Sequence, residues 1–264
     1  MLNLLKSDSY KMGRSRFFWI CTIASIILGI VIVIALQQTM NAALRNDVVR
    51  DAGEILAMVP DAAGVWLLGL GFSMNLHLIS IAAFTAIFIS REFDNGTIKN
   101  TLSRGMSRTN VFFSKFLVSS MAALIMLVGF MAATLIGGTM AWGLDPNGIA
   151  TASGIMNMVL MQSLLAIACV AVFTFVSMTL RSAGASIAIC VVSVSLMPTL
   201  LGAISMMLGN AIDLEAYWLG EAISNLATVT PTSADLVNGI ILAVAWSVVS
   251  IIAGTILFKR VDIK

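Results

Sequence analysis

Arg91, Glu92, Asp94, Lys99, Arg104, Arg108 and Lys115 crowd into one stretch, Ser90 to Phe116, SREFDNGTIKNTLSRGMSRTNVFFSKF, between two long apolar runs. Five cations against two carboxylates, with no nucleophile beside a base, suit ion pairing with another surface and not bond-making. Asp94-Asn95-Gly96 is a turn signal in which Gly96 is free to take positive φ. Thr97 then stands where it can cap a short helix running towards Ser103, and a second helix runs from Ser107 into the apolar segment after Lys115. The stretch reads as two short surface helices, a shape suited to docking. A solvated connector is the alternative.

Other reactive residues are few. The single histidine, His77, falls near the middle of an apolar run. An ionisable group inside a membrane is a functional candidate by default, but a neutral imidazole hydrogen-bonded to a neighbouring helix is the preferred reading. Cys21, Cys169 and Cys190 lie inside apolar runs without metal-ligand spacing and read as small hydrophobes. The chain has no G-x-x-x-x-G-K-[ST], no H-E-x-x-H and no C-x-x-C. Phosphate cradling of the P-loop kind and zinc chemistry are therefore not expected of it. The sequence supplies no catalytic residue, no metal site and no cofactor of its own.

What positions the charged stretch is a membrane scaffold. Over 264 residues the mean hydropathy is +1.00, with 59% hydrophobic and 11% charged residues, far from soluble composition. Six apolar runs can each cross a bilayer, at about 17–36, 65–89, 116–141, 155–180, 183–208 and 236–258, in one transmembrane domain covering 1–264. Met1 to Arg16 mixes Lys6, Lys11, Arg14 and Arg16 with Leu2, Leu4, Leu5 and Met12, as an interfacial helix does. Gly129 and Gly137-Gly138 offer close helix contact in the third span. Only Arg181-Ser182 separates the fourth span from the fifth, a tight hairpin, and Pro198 should bend the fifth. Between the first two spans, Leu44, Val48, Val49, Ile55 and Leu56 allow an amphipathic helix on the outer leaflet. Asp145-Pro146-Asn147-Gly148 marks a reverse turn.

Charge distribution orients the scaffold. Thirteen of the 15 Lys and Arg fall on the N-terminal arm, the central stretch, the hairpin and the tail, while nine of the 13 acidic residues fall on the opposite side. By the positive-inside rule both termini and the central stretch are cytoplasmic. A secondary transporter or a channel, coupled to no ATPase, is the alternative function. Ion-coupled carriers place Asp, Glu, Lys or Arg within their spans, and these six apolar runs contain none.

Glu92, Gly96-Thr97, Leu102, Ser107-Arg108 and Lys115, placed after a second span and before a third, resemble the first cytoplasmic loop of permease subunits of the type-two ABC exporters. GTIKNTLSRGMSR is especially similar to small bacterial permeases of antimicrobial-peptide export or immunity. The motif covers about 25 residues; the span layout covers the whole chain. Many members have a proline before the Ser-Arg pair, where this chain has Gly105-Met106. The resemblance implies an all-α polytopic membrane protein with an N-terminal elbow helix, and a coupling helix between spans two and three. It also implies re-entrant helices between the last two spans, here within 209–235. It makes Arg91, Glu92, Phe93, Asp94, Gly96, Thr97, Lys99, Arg104, Ser107 and Arg108 the ATPase-coupling loop, with Glu92 and Arg108 as the residues that pair with the ATPase. Implied partners are two cytoplasmic ATPases, where ATP and Mg would bind, a second permease copy or paralogue, and the lipid bilayer, with no nucleic acid. The location implied is the bacterial plasma membrane.

Overall fold

The structure, a computed structural model, describes residues 1–45, 62–142, 152–209, 213–227 and 231–260. Among these every regular element is helical, as expected where backbone groups must be satisfied within the segment itself in hydrocarbon. In chain order the helices are α1 (Leu2–Arg14), α2 (Arg16–Arg45), α3 (Ala62–Asp94), α4 (Thr97–Ser103) and α5 (Arg108–Trp142). They continue with α6 (Ala152–Leu180), α7 (Ala183–Ser195), α8 (Met197–Met207), α9 (Leu219–Asn225) and α10 (Ser233–Arg260). Five are long and apolar enough to cross a membrane, or six when α7 and α8 count as one bent span. The chain is thus a polytopic all-α membrane protein.

α5 is the central helix: 61% of its apolar stretch is buried within the protein, against 17% for α10. It packs on α2, α3, α6, α10 and, at its start, α1. The crossing with α2 is close because small residues line it on both sides. Gly29 faces the Phe130 carbonyl, Ala133 and Thr134, while Gly129 and Gly137 meet Ile26 and Val33, as membrane helices use small residues to bring backbones together. On the other side of α2, Ile20, Ile23, Ile27, Ile30 and Ile34 are exposed at helical spacing, a stripe suited to lipid.

The bend expected of Pro198 is present: α7 and α8 meet at 49°. Proline has no N–H to continue the ladder back into α7, and Leu196 stands between the two helices. Arg181, with φ of 57°, closes α6 in the left-handed region before α7 begins, a task glycine more often takes.

Between α8 and α10 the chain returns into the bundle. A 3-10 turn (Glu215–Tyr217) leads into α9, where Leu219, Gly220, Ala222 and Ile223 are all buried. α9 packs against α3, α6 and α10, and buried Gln162 donates its amide N–H to the Ile223 carbonyl at 2.9 Å. α9 is thus a buried helical cap. It lies at the end of the bundle opposite α4, since α10 begins beside α9 and finishes beside the start of α5.

Two boundaries differ from the sequence reading. α3 runs on to Asp94 and α5 begins at Arg108, so the segment between long helices shrinks to Asn95–Ser107 and only α4 is a separate short helix. Local charge does not end a helix when its apolar neighbours are buried, and here Ile89, Val111 and Phe112 are. The amphipathic helix expected around 44–56 and the turn at 145–148 lie outside the described residues, apart from the end of α2.

Candidate functional site: a charged clasp beneath a short helix

At the α4 end, α1 lies across the beginning of α5, and four charges meet there. Lys115 Nζ is 2.8 Å from Asp8 Oδ1 and 2.7 Å from Glu92 Oε2. Lys11 Nζ is 3.0 Å from Glu92 Oε1 and 3.7 Å from Asp8 Oδ1. The side chains of Asp8 and Lys115 are each 1% exposed, Glu92 is 12% and Lys11 45%. The Lys115–Asp8 contact is ionic in kind, its angles falling outside hydrogen-bond geometry. Ser114 donates its hydroxyl to Asp8 Oδ2 at 2.7 Å, and the Lys115 ammonium stands 5.0 Å from the centre of the Phe88 ring.

Two carboxylates and two ammoniums balance, which is the condition for burying them at all. An isolated charge taken from water costs several kcal/mol, and pairing offsets that only when each member keeps a partner. Burial opposes the charge on Lys11, but the Glu92 carboxylate and then Asp8 outweigh it and hold its pKa above the ordinary lysine value of 10.5. A cation with a raised folded pKa stabilises fully below its unfolded pKa. This contribution therefore persists through neutral pH and fades only as pH climbs past the lysine range.

α4 follows from the end of α3 that carries Glu92. Gly96 (φ 64°) lets the chain reverse after α3, and Gly105 (φ 82°) does so again before α5. Thr97 is the first residue of α4 and not its cap; its hydroxyl donates to the Glu92 carbonyl at 3.1 Å, tying α4 to the end of α3. Ser107 caps α5 by accepting the Asn110 N–H at 3.2 Å. A seven-residue helix is too short to persist alone in water. It is held by Ile98, its one buried residue, with Leu102 one turn later on the same face. Both enter an apolar cluster of Ile89, Val111, Phe112, Met178 and Phe258. Lys99, Asn100, Ser103 and Arg104 face solvent.

The expected coupling residues divide into two groups. Arg91, Asp94, Lys99, Arg104 and Ser107 are exposed, while Gly96 and Thr97 are half-buried at the turn. Glu92, Phe93 and Arg108 turn inward. Both Glu92 oxygens are taken by lysines of this chain. Arg108 Nη1 donates to the Phe258 and Lys259 carbonyls at 3.0 Å each, satisfying orphan acceptors at the negative end of α10. Phe93 meets Phe258 edge-on at 6.3 Å, with the Arg181 guanidinium 5.7 Å from its ring. Glu92 and Arg108, expected to pair with the ATPase, thus each have partners inside the chain.

Asp8 was missed by sequence reasoning, which weighed only the basic residues of the arm. Its signal was spacing: it stands four residues after Leu4 and four before Met12, on the apolar stripe of α1, where a charge needs a partner. Lys115 lies on the helix expected from Ser107, two turns inside α5, but reads as a surface residue, whereas almost nothing of it reaches solvent. The arrangement holds no group poised for bond-making. It is a rigid frame presenting one short charged helix.

The family model described as ABC-2 family transporter protein matches residues 4–197, from α1 to the first residue of α8. The chain belongs to the ABC-2 transporter family. A search of curated proteins finds no match to it. Membership makes it a permease subunit of an ABC transporter, a multi-pass membrane component that associates with ATPase subunits, and hydrolysis belongs to those subunits.

Within the permease His77 is fully buried and stacks on Phe130, ring centres 4.9 Å apart and 16° from parallel. Neither ring nitrogen has a hydrogen-bond partner among the described residues, so the interhelical bond expected of it is replaced by stacking. An unpaired buried polar group is costly. His77→Phe keeps the ring contact and removes both nitrogens, and is expected to raise stability by about 1 kcal/mol. His77→Ala empties the site and is expected to lower it by about 2 to 5 kcal/mol. Thermal unfolding of the purified permease checks both; a destabilised His77→Phe would contradict the stacking account.

Proposed function

We propose that this permease is the membrane half of an ATP-driven exporter and that α4 is the element its ATPase grips. One observation carries the reading: α4 is fastened from below by Ile98 and Leu102 while Lys99, Asn100, Ser103 and Arg104 stand clear of the protein. A connector needs no such fastening. Lys99 and Arg104 are the docking charges in this reading, and Glu92, Phe93 and Arg108 hold the frame. Two ATPases bind ATP and Mg and pull on two permeases, copies or paralogues, each contributing half of the pathway. The substrate class is amphipathic or antimicrobial peptides, resting on the likeness of GTIKNTLSRGMSR alone. The α4 end faces the cytoplasm of a bacterium, both termini with it, as thirteen of 15 basic residues favour.

Charge reversal tests the docking face. Lys99→Glu combined with Arg104→Glu is expected to release the ATPase during co-purification and to abolish permease-stimulated hydrolysis, while the permease stays monodisperse. Losing interfacial charge pairs costs on the order of 2 to 5 kcal/mol. An ATPase held and stimulated as before would reduce the loop to a connector. Orientation has its own check: cysteines at Asn95 and Asp213 should react with an impermeant maleimide from opposite faces, Asp213 from outside. The native thiols do not interfere, since all three are buried.

A further inference from the structure

α10 is held unlike the other long helices. Only 17% of its apolar stretch is buried, and it packs along α6, with lesser contacts to α5 and α9. Its two halves are nevertheless tied to the two opposite ends of the bundle. At the α4 end, Arg108 grips the Phe258 and Lys259 carbonyls. Phe258 is 3% exposed and shares the apolar cluster with Ile98, the buried residue of α4. One turn earlier Gly254 lies directly against the Phe112 ring. Towards the α9 end, Trp246 Nε1 donates to the Tyr217 carbonyl at 3.0 Å. The Trp246 and Trp218 rings meet edge-on at 5.1 Å, and Leu226 fills the space over Gly239. Trp218 is the residue that starts α9.

We propose that α10 is a connecting rod that carries displacement of α4 to the α9 cap. Arg108 and Phe258 are positioning residues at one end, and Trp246 is the positioning residue at the other. The proposal rests on the reading of α4 as the docking helix. Between Trp246 and Phe258 lie about 18 Å of unbroken helix at 1.5 Å per residue, which has no proline or other break and transmits a push or a tilt without absorbing it. α3 and α6 also reach both ends, but each is enclosed by several helices. α10 leans on one main neighbour, α6, and its other side, with exposed residues such as Ile241, Val248 and Ile252, is free of helices among the described residues, so it can slide or tilt along α6. The rod thus joins the place where force enters to a buried cap whose movement would open or close the far end.

A cysteine in the exposed 3-10 turn, at Ala216, reports on the cap without any need to know the substrate. The permease is reconstituted with its ATPase in vesicles, and labelling of Ala216→Cys by an impermeant maleimide is timed with and without ATP. The expected result is a rate that depends on ATP. Adding Trp246→Phe, which removes the indole N–H but keeps an aromatic ring, is expected to abolish that dependence while stimulated ATP hydrolysis stays at its original level. Phe258→Ala, at the other end, is expected to abolish it too. Three outcomes overturn the rod: a full ATP-dependent difference in Trp246→Phe, the same in Phe258→Ala, or no ATP dependence in the parent despite stimulated hydrolysis. Failure of the parent to bind or stimulate the ATPase at all is a different result, and it strikes the docking reading of α4.

Discussion

Lys115→Met is expected to destabilise the permease by about 3 to 5 kcal/mol, the cost of leaving a buried charge without its partner. Among the described residues Lys115 is the cation that lies under 3 Å from both Asp8 of α1 and Glu92 of α3, so its removal leaves the Asp8 carboxylate, 1% exposed, with the neutral Ser114 hydroxyl at 2.7 Å and the more distant Lys11 ammonium at 3.7 Å. The double variant Asp8→Leu with Lys115→Met leaves Lys11 and Glu92 paired at 3.0 Å and restores charge balance. It should recover most of the loss, since apolar replacement of a buried pair is often neutral. Unfolding midpoints of the single and double variants in one detergent decide the matter. Additive losses would mean that the cluster is not an electrostatic unit.

Ile98→Asp is the second large effect. Ile98 is 1% exposed and is the one buried residue of α4, so a carboxylate there would have to enter the apolar cluster formed with Phe112 and Phe258. Burying an unpaired charge costs several kcal/mol, more than a seven-residue helix gains by forming, and α4 should detach instead. The permease, whose larger core is elsewhere, is expected to stay folded, and ATPase capture and stimulated hydrolysis are expected to vanish. Protease cleavage within Thr97–Ser103 should rise in parallel. An Ile98→Asp permease that still stimulates its ATPase would show that docking does not need α4 in this position.

What the sequence made legible was local. Apolar length marks the long helices, Pro198 marks the bend, Gly96 marks the reversal before α4, and Arg181-Ser182 marks the hairpin, because each acts through its own backbone or its nearest neighbours. What stayed hidden was the meaning of individual charges. Glu92 and Lys115 sit in a stretch that looks solvated, and their burial depends on Asp8, which pairs with Lys115 from the far end of the arm. Arg108 finds its acceptors 150 and 151 residues away. No spacing rule connects such positions. His77 shows the converse: the chemistry of imidazole suggests a hydrogen bond, and packing against Phe130 supplies a stack.

The long reach of these contacts has a consequence for biosynthesis. Asp8 precedes the hydroxyl that binds it, that of Ser114, by 106 residues, so this hold on α1 forms only once α5 has entered the membrane. The cluster beneath α4 stays open longer still, since Phe258 and the carbonyls that Arg108 grips arrive with the final turn of α10. A chain arrested before that helix would present Phe112 and Ile98 without the Phe258 ring that covers them. Closure of that cluster thereby requires that α10 has been inserted, and, on the proposal that α4 is the docking helix, an ATPase would not engage the chain before then.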